Sequence, residues 1–205
     1  MTIRETVRSR GIRCLTHFTR VENIDSILAH GLVTRTACRG RGFESIFSDE
    51  YRHDGQDAIC LSISFPNYKM FYQLRQRNSD AKWAVLGVDP SVLWKKDCAF
   101  CVTNAAKNEV SGVPIQERKG APALELMFAE RGSVSRKELS IPESYPTDPQ
   151  AEVLVFETIE PNLITGLAFN DSDVRKKFKE RLEGRYKVLD NSRYFDARRD
   201  FQSWR

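Results

Sequence analysis

The 205-residue chain has no apolar run approaching the roughly 20 residues a helix needs to span a bilayer, so a membrane-crossing helix is not expected. Cysteine is scarce and odd in number: Cys14, Cys38, Cys60, Cys98 and Cys101. Cys98 and Cys101 form a C-x-x-C, but neither a second such pair nor paired histidines complete a zinc site, and we expect no metal. Neither G-x-G-x-x-G nor G-x-x-x-x-G-K occurs, which argues against a nucleotide-binding doubly wound sheet. Internal repeats and low-complexity tracts are missing as well. The opening stretch, MTIRETVRSRGIRC, has no apolar h-region, so we expect no secretory leader and a cytoplasmic protein.

What remains is the composition of one globular domain over residues 1–205, 40% hydrophobic and 29% charged. The net charge of +4 is modest but unevenly placed. Residues 1–41 carry eight arginines against three acidic residues, and 171–205 carry eleven basic residues against seven acidic ones. Such asymmetry suits a polyanionic partner, although solvated surfaces can share it.

The strongest local signal is PQAEVLVF, residues 149–156. Val153 to Phe156 form a β-branched and aromatic run that reads as a buried strand, and Pro142, Pro146 and Pro149 rule out a helix leading into it. Glu152 therefore stands at the mouth of a core strand. A carboxylate there either reaches water from a strand end or is a catalytic group held on a rigid element.

Elsewhere, Ile12-x-Cys14-Leu15 suggests a short strand, and Val21, Ile24, Ile27 and Leu28 recur at helical spacing before a Gly31 stop. That pattern leaves His17 and Thr19 at a strand end and Asn23 on the opening turn of a helix. Phe43, Ile46 and Phe47 fit one or two helical turns, with Arg52 shortly after. Residues 58–65 read as a strand, Pro66-Asn67 as a turn, and Tyr68 to Arg77 as a helix carrying Phe71 and Tyr72. Strands follow at 83–88 and 98–102, with a short helix between them. Residues 103–151 are punctuated by glycine and proline, with one helix-like piece at 123–128, and read as a long substrate loop or lid. A strand at 163–169, a charged helix at 171–183 capped by Asp171 or Ser172, a strand candidate at 186–189 and an aromatic, basic tail complete an α+β chain.

Taken together, His17-Phe-Thr19, Asn23, Ile27-Leu28, Gly31-Leu32, then Pro66-x-x-x-Met70-x-Tyr72, then Gln150-Ala-Glu152-x-Leu-Val155 resemble the DarT family in order and spacing. These are bacterial toxins that ADP-ribosylate bases in single-stranded DNA. The resemblance implies an ADP-ribosyltransferase fold, a split pair of antiparallel-rich sheets with flanking helices that grip NAD in the cleft between them. It implies Glu152 and Arg52 as catalytic residues. His17 and Thr19 would hold the NAD riboses, Asn23 would brace NAD, and Phe71 and Tyr72 would line the nicotinamide end. Residues 103–151 would correspond to the substrate-recognition loop, with Lys107, Arg118 and Lys119 as its candidate nucleic-acid contacts. The partners implied are single-stranded DNA, thymidine being the expected base, and a macrodomain antitoxin that reverses the modification.

The chemistry agrees with these residue types. Breaking the nicotinamide–ribose bond develops positive charge on the ribose, and a preorganised carboxylate stabilises charge present only in the transition state. A pyrimidine ring nitrogen must lose its proton to attack, and its Watson–Crick edge is free only in a single strand. Rival readings are the same chemistry on guanine or on RNA, an NAD-dependent RNA 2′-phosphotransferase, and a catalytically silent nucleic-acid-binding module.

Overall fold

The computed structural model describes residues 1–47, 55–132, 134–182, 184–190 and 192–204. Its frame is a mixed seven-stranded sheet built from β1 (Leu15–Arg20), β2 (Ile59–Ile63), β3 (Trp83–Val88), β4 (Cys98–Cys101), β5 (Glu152–Val155), β6 (Ile164–Phe169) and β7 (Lys187–Val188). The order is β4-β5-β2-β1-β3-β6-β7, antiparallel throughout except for the parallel β6–β7 pair. Helices α1 (Ile3–Ser9), α2 (Ile24–His30), α3 (Arg35–Gly40), α4 (Tyr68–Arg77), α5 (Val92–Lys95), α6 (Asn108–Ser111), α7 (Gly120–Leu126), α8 (Arg136–Leu139) and α9 (Ser172–Leu182) flank it.

The sheet is one ladder in name and two in effect. β1 pairs with β3 along all six of its residues, but with β2 only at Leu15↔Ile63 and Thr16↔Ser62. Beyond those two pairs the strands part, and a cleft opens between His17–Thr19 and the start of β2. One half, β4-β5-β2, carries alternating inward residues such as Ala99, Cys101 and Leu154 on the face that continues into the cleft. The other half stacks Phe71, Trp83 and Phe195 on its outer face.

Local chemistry explains the elements beside the split. Gly31 ends α2 at φ +84°, and a Cβ there would lie 2.2 Å from the Ile159 carbonyl oxygen, so only glycine lets Leu32 bridge to Ile159. After β2, Ser64 adopts a left-handed φ of 64° that turns the chain sharply into α4. Asn67 then caps α4, its Oδ1 accepting from the Met70 N–H at 3.2 Å.

One expectation needs correction. Phe43 to Phe47 are not helical; the helix lies earlier, at α3, where Thr34 accepts from the Ala37 N–H and supplies the N-cap. Helix α1 is an additional element, opened by a Thr2–Glu5 capping box. Residues 103–151 form the long segment between β4 and β5. They contain α6, α7 and α8, and α7 buries Leu124 against β4 and α1, followed by the buried Met127 and Phe128. Arg136 donates to the carbonyls of Pro142 and Tyr145, and buried Arg198 donates to those of Pro146 and Thr147, so the approach to β5 is strapped down from two sides. Among the described residues no helix is long and apolar enough to cross a membrane.

Candidate active site

The split creates a cleft of about 300 Å³ whose floor is the beginning of β5. Glu152 sits there, only 7% exposed. Its Oε1 accepts from the side-chain amides of Asn104 at 3.2 Å and Asn67 at 3.4 Å, and its Oε2 accepts from the Ala105 N–H at 3.0 Å. An ionised carboxylate only accepts, so each of these donors is matched and the group's orientation is fixed from two directions. Asn67 is itself pinned, its N–H donating to Ser62 Oγ at 3.2 Å while its side-chain oxygen caps α4. The carboxylate is thus tied to β2, to α4 and to the turn after β4.

The opposite wall is β1. His17 Nδ1 lies 2.8 Å from the Cys60 carbonyl oxygen, a side-chain bond that spans the gap where the β1–β2 ladder has stopped. With Nδ1–H donating, the other ring nitrogen is left as an acceptor. Burial holds the ring's pKa below its ordinary value, against the weaker opposing effect of the Cys60 carbonyl, so the imidazole stays neutral. Thr19 accepts from the Asn23 amide at 2.9 Å and keeps its own hydroxyl hydrogen to donate.

Asn23 lines the cleft and also holds its rim. Its amide donates to the Ile46 carbonyl at 2.8 Å and its oxygen accepts from the Ile46 N–H at 2.8 Å, in the manner of a strand partner. It thereby fixes residues 43–47 as the cleft's outer rim. His30 stacks on Phe43 at 4.4 Å, and the Arg35 guanidinium lies 4.5 Å from the Phe47 ring centroid, both reinforcing that rim. Arg35 is the permanently charged side chain lining the cleft among the described residues.

The structure therefore brings His17, Thr19, Asn23 and Glu152 around one cavity. Of the other expected residues, the described ones Phe71, Tyr72, Lys107, Arg118 and Lys119 do not line it. Phe71 is 1% exposed and stacks on Phe18 in the core, and Tyr72 points into a separate surface groove; Met70 is the α4 side chain that lines the cleft. Arg118 is 6% exposed, with its Nη1 3.7 Å from Cys101 Sγ, and Lys119 pairs with Asp97 at 2.6 Å at the far end of β4. Lys107 is exposed directly after Asn104–Ala106, the part of the 103–151 segment that touches the cleft. Arg52 lies outside the described residues.

Asn67, Asn104 and Arg35 escaped the sequence reading. The first two are lone amides in turn signals whose partner lies 85 and 48 residues away. Arg35 follows Thr34, an N-cap signal that could have placed it at a helix start. Among the described residues no group of three or more histidine, cysteine, aspartate or glutamate side chains could hold a metal ion.

Comparison with known proteins agrees with this geometry. The chain matches the family model described as DarT, ssDNA thymidine ADP-ribosyltransferase, over residues 16–194. No curated protein sequence matches. Among solved structures, Thermus sp. 2.9 DarT in complex with ADP-ribosylated ssDNA is similar at a TM-score of 0.55 and 14% identity, covering 90% of this chain and 97% of that one. Thermus sp. 2.9 DarT in complex with NAD+ is similar at 0.52 and 13%, covering 89% and 97%. Thermosipho africanus DarTG in complex with ADP-ribose is similar at 0.55 and 15%; the match takes in 89% of this chain and about half, 51%, of that one. At these identities the likeness shows the fold, which is that of an ADP-ribosyltransferase with α+β architecture. The family model spans most of the chain, and the chain belongs to the DarT family of NAD-dependent, single-stranded DNA thymidine ADP-ribosyltransferases.

Proposed function

We propose that Glu152 is the catalytic carboxylate of this chain and that the cleft transfers ADP-ribose from NAD onto a thymidine base of single-stranded DNA. The observation that carries this reading is the carboxylate itself, buried at the mouth of β5 and oriented by Asn67, Asn104 and Ala105. NAD supplies the ADP-ribosyl group, and as its nicotinamide–ribose bond breaks, the bonding pair leaves with nicotinamide while positive charge develops on the ribose. Glu152, already desolvated and fixed, meets that charge without reorganising. The incoming ring nitrogen forms the new bond to the same carbon and gives up its proton, for which Glu152 is the carboxylate base lining the cleft.

The cleft's donor and acceptor pattern fits such a substrate. His17 presents an acceptor and Thr19 a donor from within β1, beyond the point where it parts from β2, a complementary pair for ribose hydroxyls. Arg35 offers a guanidinium for the pyrophosphate, and Ile27, Leu32 and Phe43 give the cleft apolar walls for ring stacking. Asn23 acts one step back, holding Thr19 and the rim. Lys107, exposed beside Asn104–Ala106, is the loop charge placed to meet the DNA backbone. We further propose that the enzyme works in the cytoplasm against a macrodomain antitoxin that removes the ADP-ribose.

The test is incubation with labelled NAD and single-stranded oligomers varied one base at a time. Label on thymidine-containing DNA alone supports the reading. Label on guanine, or on RNA in preference to DNA, would replace the acceptor and keep the chemistry. NAD turnover that no oligomer captures would remove the transferase reading. The partner reading predicts that expression in cells is toxic unless an ADP-ribose-removing macrodomain is present.

A further inference from the structure

Helix α4 works on three sides. Asn67 and Met70 face the cleft, and Phe71 and Leu74 enter the core. Tyr68, Lys69, Tyr72 and Arg75 line a second groove of about 650 Å³, closed opposite by Asp196 and Phe201 of the carboxy-terminal tail. Two large aromatics stand open in this groove, Tyr72 at 56% and Phe201 at 41% exposure. Lys69 donates to the Trp204 carbonyl and Arg75 to the Phe195 carbonyl, so each cation is steered by a neutral oxygen. Asp196 is the acid in the groove lining, and its field acts on Arg75. Exposed rings beside steered cations suit a flexible polyanion that carries flat bases.

We propose that this groove is a second subsite for the substrate strand, seating nucleotides that flank the target base by stacking them on Tyr72 and Phe201 with their phosphates toward Lys69 and Arg75. The proposal rests on the reading of the cleft as a DNA-modifying site. Continuity between the two favours it. Asn67 holds Glu152, and Tyr72 lies five residues further along the same helix, about 7.5 Å along its axis. A strand leaving the cleft over α4 needs only a few nucleotides to arrive. Stacking is indifferent to base identity, so the subsite would add affinity and register without sequence preference.

The experiment compares two single-stranded oligomers with one thymidine each, of about four and about twelve nucleotides, the range of lengths that single-strand sites occupy. Fluorescence anisotropy gives the affinity of each, and labelled NAD gives transfer to each. In Tyr72→Ala combined with Phe201→Ala, affinity for the longer oligomer is expected to fall about five-fold or more, with the shorter one within two-fold of the parent. Tyr72→Phe should restore the longer oligomer's affinity, since stacking needs the ring and not the hydroxyl. Should the double variant fail to fold, Tyr72→Ala alone, at an exposed position, carries the same comparison. Unchanged affinity for the longer oligomer, or equal loss with both, would overturn the proposal. Anisotropy reads the groove without transfer, so absence of transfer by the parent enzyme would count against the cleft reading alone.

Discussion

The two ends of the β4–β5 ladder carry charge in opposite ways. At one end Glu152, paired in register with Cys101, is buried and held by two amide side chains and a backbone N–H. At the other, Asp97 meets Lys119 at 2.6 Å, Lys96 meets Glu160 at 2.5 Å, and Lys119 sits 5.2 Å from the Phe156 ring, with the acidic partners about half exposed. The exposed end is already neutralised by its ion-pair partners, screened by solvent on the acidic side. The buried end is oriented on both oxygens by hydrogen bonds from fixed groups, among them Asn67, Asn104 and the Ala105 N–H. One ladder thus sets solvent-facing ion pairs at one end against a buried carboxylate oriented by hydrogen bonds at the other.

The comparison can be broken at several points, in order of effect. Arg198 belongs to the buried side: it pairs with Asp200, itself bonded to Trp204, and holds the Pro146 and Thr147 carbonyls that lead into β5. Arg198→Ala leaves a buried Asp200 without its ion-pair partner, keeping only the Trp204 N–H, and chemical denaturation is expected to show a loss of about 3–5 kcal/mol. Asn67→Ser comes next. Serine caps a helix about as well as asparagine but is too short to reach Glu152, so transfer should drop about ten-fold, a loss of roughly 1.4 kcal/mol, while stability stays near the parent's. Comparable losses in both would show that Asn67 only caps α4.

His17 gives a pH-dependent break. Its folded pKa is depressed by burial, so the unfolded chain takes up the proton first as the solution is acidified. The stability this ring contributes is complete above the ordinary value of about 6.5 and is lost as pH falls through the lower, folded value. His17→Asn should remove that part of the acid-side slope in a stability–pH series; an unchanged slope would mean the ring protonates freely in the folded protein. The smallest effect belongs to the exposed end. Lys119→Ala is expected to cost less than about 1 kcal/mol and to leave transfer unaltered, and a large fall in transfer would return Lys119 to the substrate path.

What the sequence made legible follows from how local the signals are. Strand β5, the helix stop at Gly31 and Glu152 at a strand mouth each rest on a few adjacent residues, and all stand in the structure. The Thr2–Glu5 capping box was equally local and announces α1 to a reader who weighs it. The donors on Glu152 could not be read this way, because Asn67 and Asn104 are ordinary turn residues until the fold brings them to β5. Arg118 and Lys119 show the reverse. A basic pair in a proline-punctuated stretch looks solvent-facing, yet α7, which follows and packs Ala123 and Leu124 into the core against β4, draws the segment onto the sheet, and Arg118 is buried beside Cys101.

The central claim is that Glu152 answers charge that develops during transfer. Glu152→Gln tests it most directly, because glutamine preserves one oxygen for the Asn67 and Asn104 amides while removing the negative charge and the acceptor facing the Ala105 N–H, the latter a cost of about 1–3 kcal/mol in stability. The measurement is transfer from labelled NAD to a thymidine-containing single strand, set beside calorimetric NAD affinity on the same folded sample. We predict NAD affinity within a few-fold of the parent and transfer reduced by about a hundred-fold or more. A folded variant that binds NAD and transfers within a few-fold of the parent would contradict the account.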